Sequence, residues 1–194
     1  MTLFCGIDEA GRGPLAGPVC AAAVILPELF PFDILNDSKK LLPVTREKLK
    51  NIICREALAW GIGWASAAEI DEINIHAASL LAMKRAFQVM EQDWLQDNPQ
   101  GLHNCRAIAD GRFVPELPVS CEALVKADSL VPAVMAASIL AKCARDRLME
   151  HYGIFYPLYG YEKHKGYPTK AHREAIKRYG PSPIQRMTYK MSYR

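Results

Sequence analysis

The sequence predicts an α/β fold in which a mixed central sheet of about five strands is flanked by helices. Short β-prone runs come first along the chain, and further runs then alternate with segments of helical periodicity. The chain has 194 residues, half of them hydrophobic, which is enough for one well-packed core and too few for two domains of ordinary size. We therefore expect residues 1–194 to form a single domain.

The first three strands are expected to form a meander. Leu3 to Ile7 and Gly17 to Leu26 are β-prone runs on either side of a glycine-rich turn, which predicts a hairpin. Pro43 to Leu58 has helical spacing over a charged face, and strand character returns from Ala59 to Ala65. A third strand that follows one helix completes this part of the sheet.

The second half of the chain is expected to be mainly helical. Apolar residues recur every three or four positions from Ile75 to Gln92, which predicts an amphipathic helix. Short strand-like runs surround Ala107–Ala109 and Ala123–Val125. An alanine-rich helix is predicted from Pro132 to about His151, and a last helix from an N-cap at Thr169 to Tyr179.

Charge is distributed unevenly along the chain. Residues 1–162 hold 15 Lys and Arg against 20 Asp and Glu, whereas the segment of about 163–194 holds 9 against 1. The basic C-terminal segment suits either a solvated helical surface or contact with a polyanion such as nucleic acid.

Composition argues against membrane and secreted classes. No apolar run approaches the roughly 20 residues of a membrane span, and the N-terminus lacks the layout of a secretory signal. The six cysteines are widely spaced in mostly apolar segments, which predicts buried thiols and not a disulfide scaffold or a zinc site. We expect a cytoplasmic protein without a membrane partner.

Acidic residues follow three of the predicted strands. Asp8 and Glu9 come after the first, Asp110 ends the fourth, and Asp128 follows the fifth. Each acid alone has an ordinary alternative as a turn former or exposed strand-end residue. If those three strands are neighbours, the acids lie side by side, and their mutual repulsion and oxygen donors favour Mg²⁺ or Mn²⁺. Two such ions would support in-line hydrolysis of a phosphodiester.

The turn Gly11, Arg12, Gly13 lies directly beside the first two acids. It lacks the Lys-Ser/Thr ending of a Walker loop and the spacing of a dinucleotide fingerprint, so nucleoside triphosphate binding is not expected. Glycines on both sides of an arginine allow the backbone to approach a ligand closely, although an ordinary tight turn is the better explanation for the glycines alone.

Five motifs, in order along nearly the whole chain, resemble type 2 ribonuclease H, ribonuclease HII. They are Asp8-Glu9-Ala10-Gly11-Arg12-Gly13, Asn36-Asp37-Ser38-Lys39, Lys126-Ala127-Asp128, Ala136-Ala137-Ser138-Ile139-Leu140-Ala141-Lys142 and His164-Lys165-Gly166-Tyr167. The resemblance implies a ribonuclease H-like fold with catalytic, metal-binding acids at Asp8, Glu9, Asp110 and Asp128.

The activity that this resemblance implies is endonucleolytic. Such an enzyme cuts the RNA strand of RNA/DNA hybrids and nicks 5′ of single ribonucleotides in duplex DNA, leaving 3′-hydroxyl and 5′-phosphate ends, with Mn²⁺ or Mg²⁺ as cofactor. We expect it to act as a monomer.

Further substrate contacts also follow from the resemblance. Gly11, Arg12 and Gly13 would contact the 2′-hydroxyl, the group that distinguishes RNA from DNA, and Tyr167 would pack on the following deoxyribose. Phosphate contacts would fall on Ser38, Lys39, Lys142 and Lys165. For Lys142 a solvated helix position is equally consistent. His164 is either a proton shuttle or surface structure.

Two other functions remain open from the residues alone. A related polynucleotidyl transferase, such as a resolvase or transposase, would use similar acids. A non-catalytic nucleic-acid-binding module would use the basic segment for affinity and the acids for structure.

Overall fold

The computed structural model describes residues 2–35 and 42–189. In this part of the chain it contains one five-stranded sheet and five α-helices. The strands are β1 (Leu3–Ala10), β2 (Val19–Ile25), β3 (Ala59–Ala65), β4 (Cys105–Asp110) and β5 (Ser120–Leu124). The helices are α1 (Pro43–Glu56), α2 (Ala67–Asp97), α3 (Pro132–Phe155), α4 (Tyr161–His164) and α5 (Lys170–Tyr179).

The sheet is mixed, and its strand order is β3-β2-β1-β4-β5. β1, β2 and β3 form the antiparallel meander that the sequence predicted, whereas β4 lies parallel to β1 and β5 lies parallel to β4. The first, fourth and fifth strands are therefore neighbours, as the acid hypothesis requires.

Three helices cover the two faces of the sheet. All seven residues of β2 are buried, because α2 packs on one face and α1 and α3 pack on the other. At Gly6 of β1 the backbone of α3 lies so close that an added Cβ would be 2.1 Å from the carbonyl carbon of Ala133. Small residues therefore bring α3 directly against the strand that carries the first acids.

Several element boundaries differ from the sequence prediction. β1 continues through Asp8 and Glu9 to Ala10 and does not stop at Ile7. α2 begins at Ala67, where Ser66 and Glu69 form a capping box, and so starts well before the predicted Ile75.

A kink inside α2 explains the predicted start. Asn74 has a positive φ of 68°, and its side-chain Oδ1 accepts hydrogen bonds from the backbone N–H groups of His76 and Ala77. The apolar periodicity restarts after this internal cap, so the pattern revealed only the second segment.

The remaining helices follow the prediction more closely. α1 ends at Glu56, two residues before the predicted Leu58, and α3 continues to Phe155, past the predicted His151. Thr169 caps α5 by accepting a hydrogen bond from the backbone N–H of His172, which confirms the predicted N-cap. The short helix α4 was not predicted.

The cysteines are free thiols, as the composition predicted. Four are buried, and Cys54 and Cys121 are half-buried. Among the described helices, none combines the length and apolar character needed to cross a membrane.

Candidate active site

Asp8 and Asp110 lie on adjacent parallel strands at the same level. The ladder between β1 and β4 pairs Ile7 with Ala109, so one further step along both strands brings the two carboxylates side by side. Neighbouring strands are about 4.8 Å apart, and residues in register point to the same face. Asp8 is buried on the face covered by α3, where Ser138 hydrogen-bonds its side chain.

The pKa of Asp8 is raised well above its ordinary value. Burial is the main cause, and the charges of Glu9 and Asp110 add to it. The backbone N–H of Glu9 donates to Asp8 Oδ1 at 2.7 Å, which acts in the opposite direction and favours the ionised form. Three acids therefore lie within electrostatic reach of one another in a poorly solvated place.

Asp128 is joined to these acids through Asp110. It lies in a 3-10 turn, Ala127–Ser129, that follows β5 and is entered through Lys126 with a positive φ of 63°. Asp110 Oδ1 accepts a hydrogen bond from the backbone N–H of Ala127 at 2.8 Å, so the carboxylate of one acid holds the turn that carries the other. Below, Asp8, Glu9, Asp110 and Asp128 are called the acid cluster.

The chemistry of the acid cluster fits a hard divalent cation. Its donors are carboxylate oxygens, and the repulsion that raises the pKa of Asp8 is what a bound cation cancels. Within residues 2–35 and 42–189, no three His, Cys, Asp or Glu side chains already lie close enough together to hold a metal. The acids are thus neighbours whose side chains must turn toward an ion to coordinate it.

A pocket of about 280 Å³ opens beside the acid cluster. The Tyr167 ring faces the glycine-rich turn across it, with its Cε1 atom 3.7 Å from the position that a Cβ on Gly13 would take. Tyr167 is 41% exposed, so its ring is available to a ligand. The pocket is lined by Glu9, Ala10, Gly11, Arg12, Gly13, Ser138, Lys142 and Tyr167.

Two positively charged side chains at this pocket form ion pairs with acidic residues. Arg12 Nη1 is 3.3 Å from Glu9 Oε1, and Lys142 Nζ is 2.7 Å from Asp146 Oδ1. Lys142 also lies over the Tyr167 ring, 6.0 Å from its centroid. The structure thus brings Lys142 to the same pocket as the glycine-rich turn, and its phosphate contact stays a prediction.

Lys165 is not part of this grouping. Lys165 Nζ is 2.7 Å from Glu150 Oε1, and its side chain borders a separate groove of about 750 Å³ between α1 and α3. Ser38 and Lys39 lie outside the described residues, so their predicted phosphate contacts stay predictions.

His164 has a structural environment. Its Nε2–H donates to the carbonyl of Tyr159 at 2.8 Å, and its Nδ1 accepts from the backbone N–H of Gly166 at 3.2 Å. Its ring stacks on that of His172 with centroids 4.5 Å apart. Burial lowers the pKa of His164. These contacts support the turn before Tyr167 and give no support to a proton shuttle.

Two buried arginines beneath the glycine-rich turn were missed. Arg145 and Arg186 are each 1% exposed, and their guanidinium groups donate to backbone carbonyls of the turn and its surroundings. A signal for Arg145 was present, because Ser138, Lys142 and Arg145 are spaced i, i+4, i+7 on one face of α3. Arg186 had no such signal, because its partners are about 170 positions away in the sequence.

Comparison with known proteins gives a consistent family assignment. A family model described as Ribonuclease HII matches residues 5–194. The chain is 55% identical over 193 residues to ribonuclease HII of Treponema denticola, covering 96% of this chain and 98% of the relative. It is 48% identical over 189 residues to ribonuclease HII of Desulforamulus reducens, covering 97% of this chain and 90% of that relative.

Solved structures share the fold. Ribonuclease H2 of Pyrococcus horikoshii has a TM-score of 0.72 at 27% identity and covers 97% of this chain and 94% of its own. The structure of a PCNA:RNase HII complex from Archaeoglobus fulgidus has a TM-score of 0.74 at 25% identity, and the match covers 99% of this chain and 97% of the other. Bst-RNase HIII, solved in complex with Mn²⁺, has a TM-score of 0.69 at 18% identity, and the match covers 92% of this chain and 63% of the other. This likeness concerns the fold alone. The expected ribonuclease H-like fold is confirmed.

Proposed function

The chain belongs to the ribonuclease HII family of RNA/DNA-hybrid endoribonucleases, and from this premise we propose that it also nicks duplex DNA 5′ of single embedded ribonucleotides. The products are a 3′-hydroxyl and a 5′-phosphate. The observation that carries the proposal is the pocket in which the glycine-rich turn and Tyr167 face each other next to Glu9.

The acid cluster supplies the hydrolytic centre in this proposal. Members of the family depend on divalent metal ions, and Asp8, Glu9, Asp110 and Asp128 would hold Mn²⁺ or Mg²⁺ here. Two bound ions would activate water and stabilise the leaving oxygen during in-line displacement. Ser138 orients the Asp8 carboxylate, and the Ala127 N–H orients that of Asp110.

The glycine-rich turn supplies recognition of ribose. Among the described residues, the backbone N–H groups of Arg12 and Gly13 have no hydrogen-bond acceptor, so they remain able to meet a 2′-hydroxyl. A side chain at position 13 would point toward Tyr167 and narrow the pocket, whereas one at position 11 would collide with the buried Arg145 and displace the turn. In this proposal the exposed Tyr167 ring packs on the sugar that follows, and Lys142, which lies over that ring, contacts a phosphate.

The same arrangement suits a monomer, because one chain contributes both the acids and the residues that face them. The substrates in this proposal are RNA/DNA hybrids and DNA that contains ribonucleotides. The basic C-terminal segment adds affinity for the nucleic-acid backbone that falls with added salt.

Three labelled duplexes test the proposal when each is incubated with Mg²⁺ and with Mn²⁺. They are a DNA duplex with one ribonucleotide, the same duplex of DNA only, and a uniform RNA/DNA hybrid. We expect cleavage of the first and third and none of the second, with the nick mapped to the 5′ side of the ribonucleotide. Equal cleavage of the DNA-only duplex would favour a resolvase-type activity, and binding without cleavage of any duplex would favour a non-catalytic module.

A further inference from the structure

Two buried guanidinium groups hold the backbone of residues 11–18, called here the glycine loop. Arg186 donates from Nη2 to the Gly11 carbonyl at 2.6 Å, from Nη1 to that of Arg12 at 3.0 Å and from Nε to that of Gly17 at 2.8 Å. Arg145 donates from Nε to the Pro18 carbonyl at 3.0 Å and from Nη2 to that of Ala16 at 3.2 Å. Five carbonyls of the glycine loop are thus bound to two side chains.

These arginines make no ion pair with a carboxylate among the described residues. Burial lowers the pKa of Arg145 to about 10, and the positive charge of Arg186 contributes to the shift. Burial also lowers the pKa of Arg186. Asp146 and Asp71 compensate these charges only in part, so two like charges buried close together cost stability, and apolar residues of similar size would pack at lower cost. Stability alone therefore does not account for them.

Arg145 also connects the glycine loop to the turn that carries Tyr167. Its Nη1 donates to the Lys165 carbonyl at 3.0 Å, two residues before the tyrosine. The Leu15 N–H donates to the Gly166 carbonyl at 2.8 Å, which joins the same two segments a second time. The two walls of the pocket are therefore bound to one guanidinium group.

Arg186 belongs to residues 182–189, called here the C-terminal strap. Gln185 Nε2 and the Arg186 N–H both donate to the Leu15 carbonyl, at 2.9 Å each. Tyr189 donates from its hydroxyl to the Arg12 carbonyl at 2.8 Å. Asp71 of α2 accepts hydrogen bonds from Thr188, which anchors the strap at its far end. The glycine loop is thus held from below by α3 and from the side by the strap.

We propose that Arg145 and Arg186 are positioning residues that fix the spacing between the glycine loop and Tyr167, and thereby set how strictly the enzyme requires a 2′-hydroxyl at the cleaved junction. The inference rests on the proposed function, because it concerns the selectivity of that same pocket. Neither side chain is assigned a contact with substrate. Their effect is transmitted through the backbone whose carbonyls they bind.

The test compares two duplexes that differ only in the 2′ substituent of one nucleotide. One carries a single ribonucleotide, the other a 2′-fluoro analogue at the same position, and the selectivity is the ratio of the two kcat/KM values. We expect Arg145→Met and Arg186→Met to lower this ratio by about tenfold or more, because a displacement of about 1 Å in a positioning element has effects of this size. A purely structural loss lowers the amount of active enzyme for both duplexes equally and leaves the ratio unchanged.

Lysine variants separate geometry from charge. Arg145→Lys and Arg186→Lys keep the positive charge but cannot bind three carbonyls in the planar arrangement of a guanidinium group. We expect both to lower the ratio nearly as much as methionine does. Restoration of the wild-type ratio by lysine would overturn the proposal, because charge would then be sufficient.

A milder variant keeps the test decisive if the methionine variants do not fold. Tyr189→Phe removes the hydrogen bond to the Arg12 carbonyl and the one that the hydroxyl accepts from Arg186 Nη1. We expect the ratio to fall about threefold or more, because each neutral hydrogen bond contributes about 1 kcal/mol. Arg85→Met is the matched control, since Arg85 donates to the Trp64 carbonyl away from the glycine loop. Its ratio should equal that of the wild type.

The result that overturns the positioning role is an unchanged ratio in every folded variant of Arg145, Arg186 and Tyr189. Failure of the wild-type enzyme to cut the ribonucleotide duplex at all is a different result. It would refute the proposed function itself.

Discussion

The acid cluster and the glycine loop meet at one pocket, but they are held in opposite ways. In the acid cluster, like charges are neighbours, and the pKa of Asp8 is raised by burial and by Glu9 and Asp110. In the glycine loop, five backbone carbonyls accept hydrogen bonds from the side chains of Arg145 and Arg186, and Tyr189 donates to one of them as well. The first region keeps its electrostatic strain, and the second is restrained by many hydrogen bonds.

This difference separates two requirements of the proposed reaction. A site for cations must bring carboxylates together, because the mutual repulsion of their negative charges is what a bound cation relieves. A site that recognises one hydroxyl group must keep a fixed backbone, because a small displacement removes the contact. The predictions below test whether the two regions behave in these different ways.

The largest expected effect is on turnover when an acid is neutralised. Asp8→Asn or Asp110→Asn should lower kcat on a ribonucleotide-containing duplex by more than about 100-fold. Loss of a residue that only hydrogen-bonds a metal ligand typically costs about 10- to 100-fold, and loss of a ligand itself should cost more. The free energy of unfolding without metal should not fall, because the change removes repulsion. Steady-state kinetics and denaturant titration measure the two effects. Asp93→Asn is the control, because this acid lies outside the acid cluster and accepts a hydrogen bond from the Trp60 N–H.

A glycine substitution should affect stability strongly in the glycine loop. Gly11 has a φ of +101°, and an added Cβ would lie 2.0 Å from Arg145 Nε. Gly11→Ala should therefore cost about 2 to 4 kcal/mol of unfolding free energy, from the left-handed backbone and from overpacking together. Gly180→Ala also introduces a side chain at a positive φ, +78°, but meets nothing within 4 Å, and should cost only about 1 to 2 kcal/mol. Equal losses would show that Arg145 does not crowd this position.

Acid should destabilise the Tyr167 side of the pocket through His172. Burial lowers the pKa of this fully buried imidazole to about 4, so the folded protein keeps it neutral. The unfolded chain binds the proton at about pH 6.5, so stability is present above that pH and is lost as the pH falls toward 4. The loss should reach about 2 to 3 kcal/mol.

Unfolding measured by denaturant from pH 7 to pH 4 tests this effect. His172→Phe keeps an aromatic ring against His164 and Tyr161 but should show a shallower pH dependence than the wild type. His103→Gln, at an exposed histidine, should retain the wild-type slope. An identical slope in the His172 variant would exclude this histidine as the cause.

The smallest expected effect is thermal stabilisation by metal. Mn²⁺ or Mg²⁺ at about ten times its dissociation constant should stabilise the fold by about 1.4 kcal/mol, which corresponds to a rise in Tm of about 3 to 6 °C. The rise should disappear in Asp8→Asn and persist in Arg145→Lys, because only the acid cluster interacts with the ion. Differential scanning calorimetry without substrate gives this result independently of activity. A full rise in Asp8→Asn would place the cation elsewhere.

Local sequence patterns predicted the strands and most helices because those elements depend on nearby residues. The α3 helix and the Thr169 cap follow from alanine content and one side-chain oxygen. The first turns of α2 were missed because the Asn74 kink divides its apolar pattern in two. The end of β1 was placed too early, because pairing with β2 continues past Ile7 through Asp8 and Glu9.

The candidate site was predictable in its residue types and only partly in its assembly. Repetition of acids after strands indicated Asp8, Asp110 and Asp128, and the strand order then made Asp8 and Asp110 neighbours. The separation of Lys165 from the pocket could not be read from a motif in which it lies two residues before Tyr167.

By itself the sequence determined the alternation of strands and helices, the acids that end strands, and the glycines that leave room beside them. These features depend on side-chain chemistry and on spacing over a few residues. Only the tertiary structure decided that Arg145 and Arg186, 41 residues apart in the sequence, both lie beneath Gly11. Burial of a charged side chain depends on how distant segments pack, and in a linear sequence such an arginine has the same appearance as one on the surface.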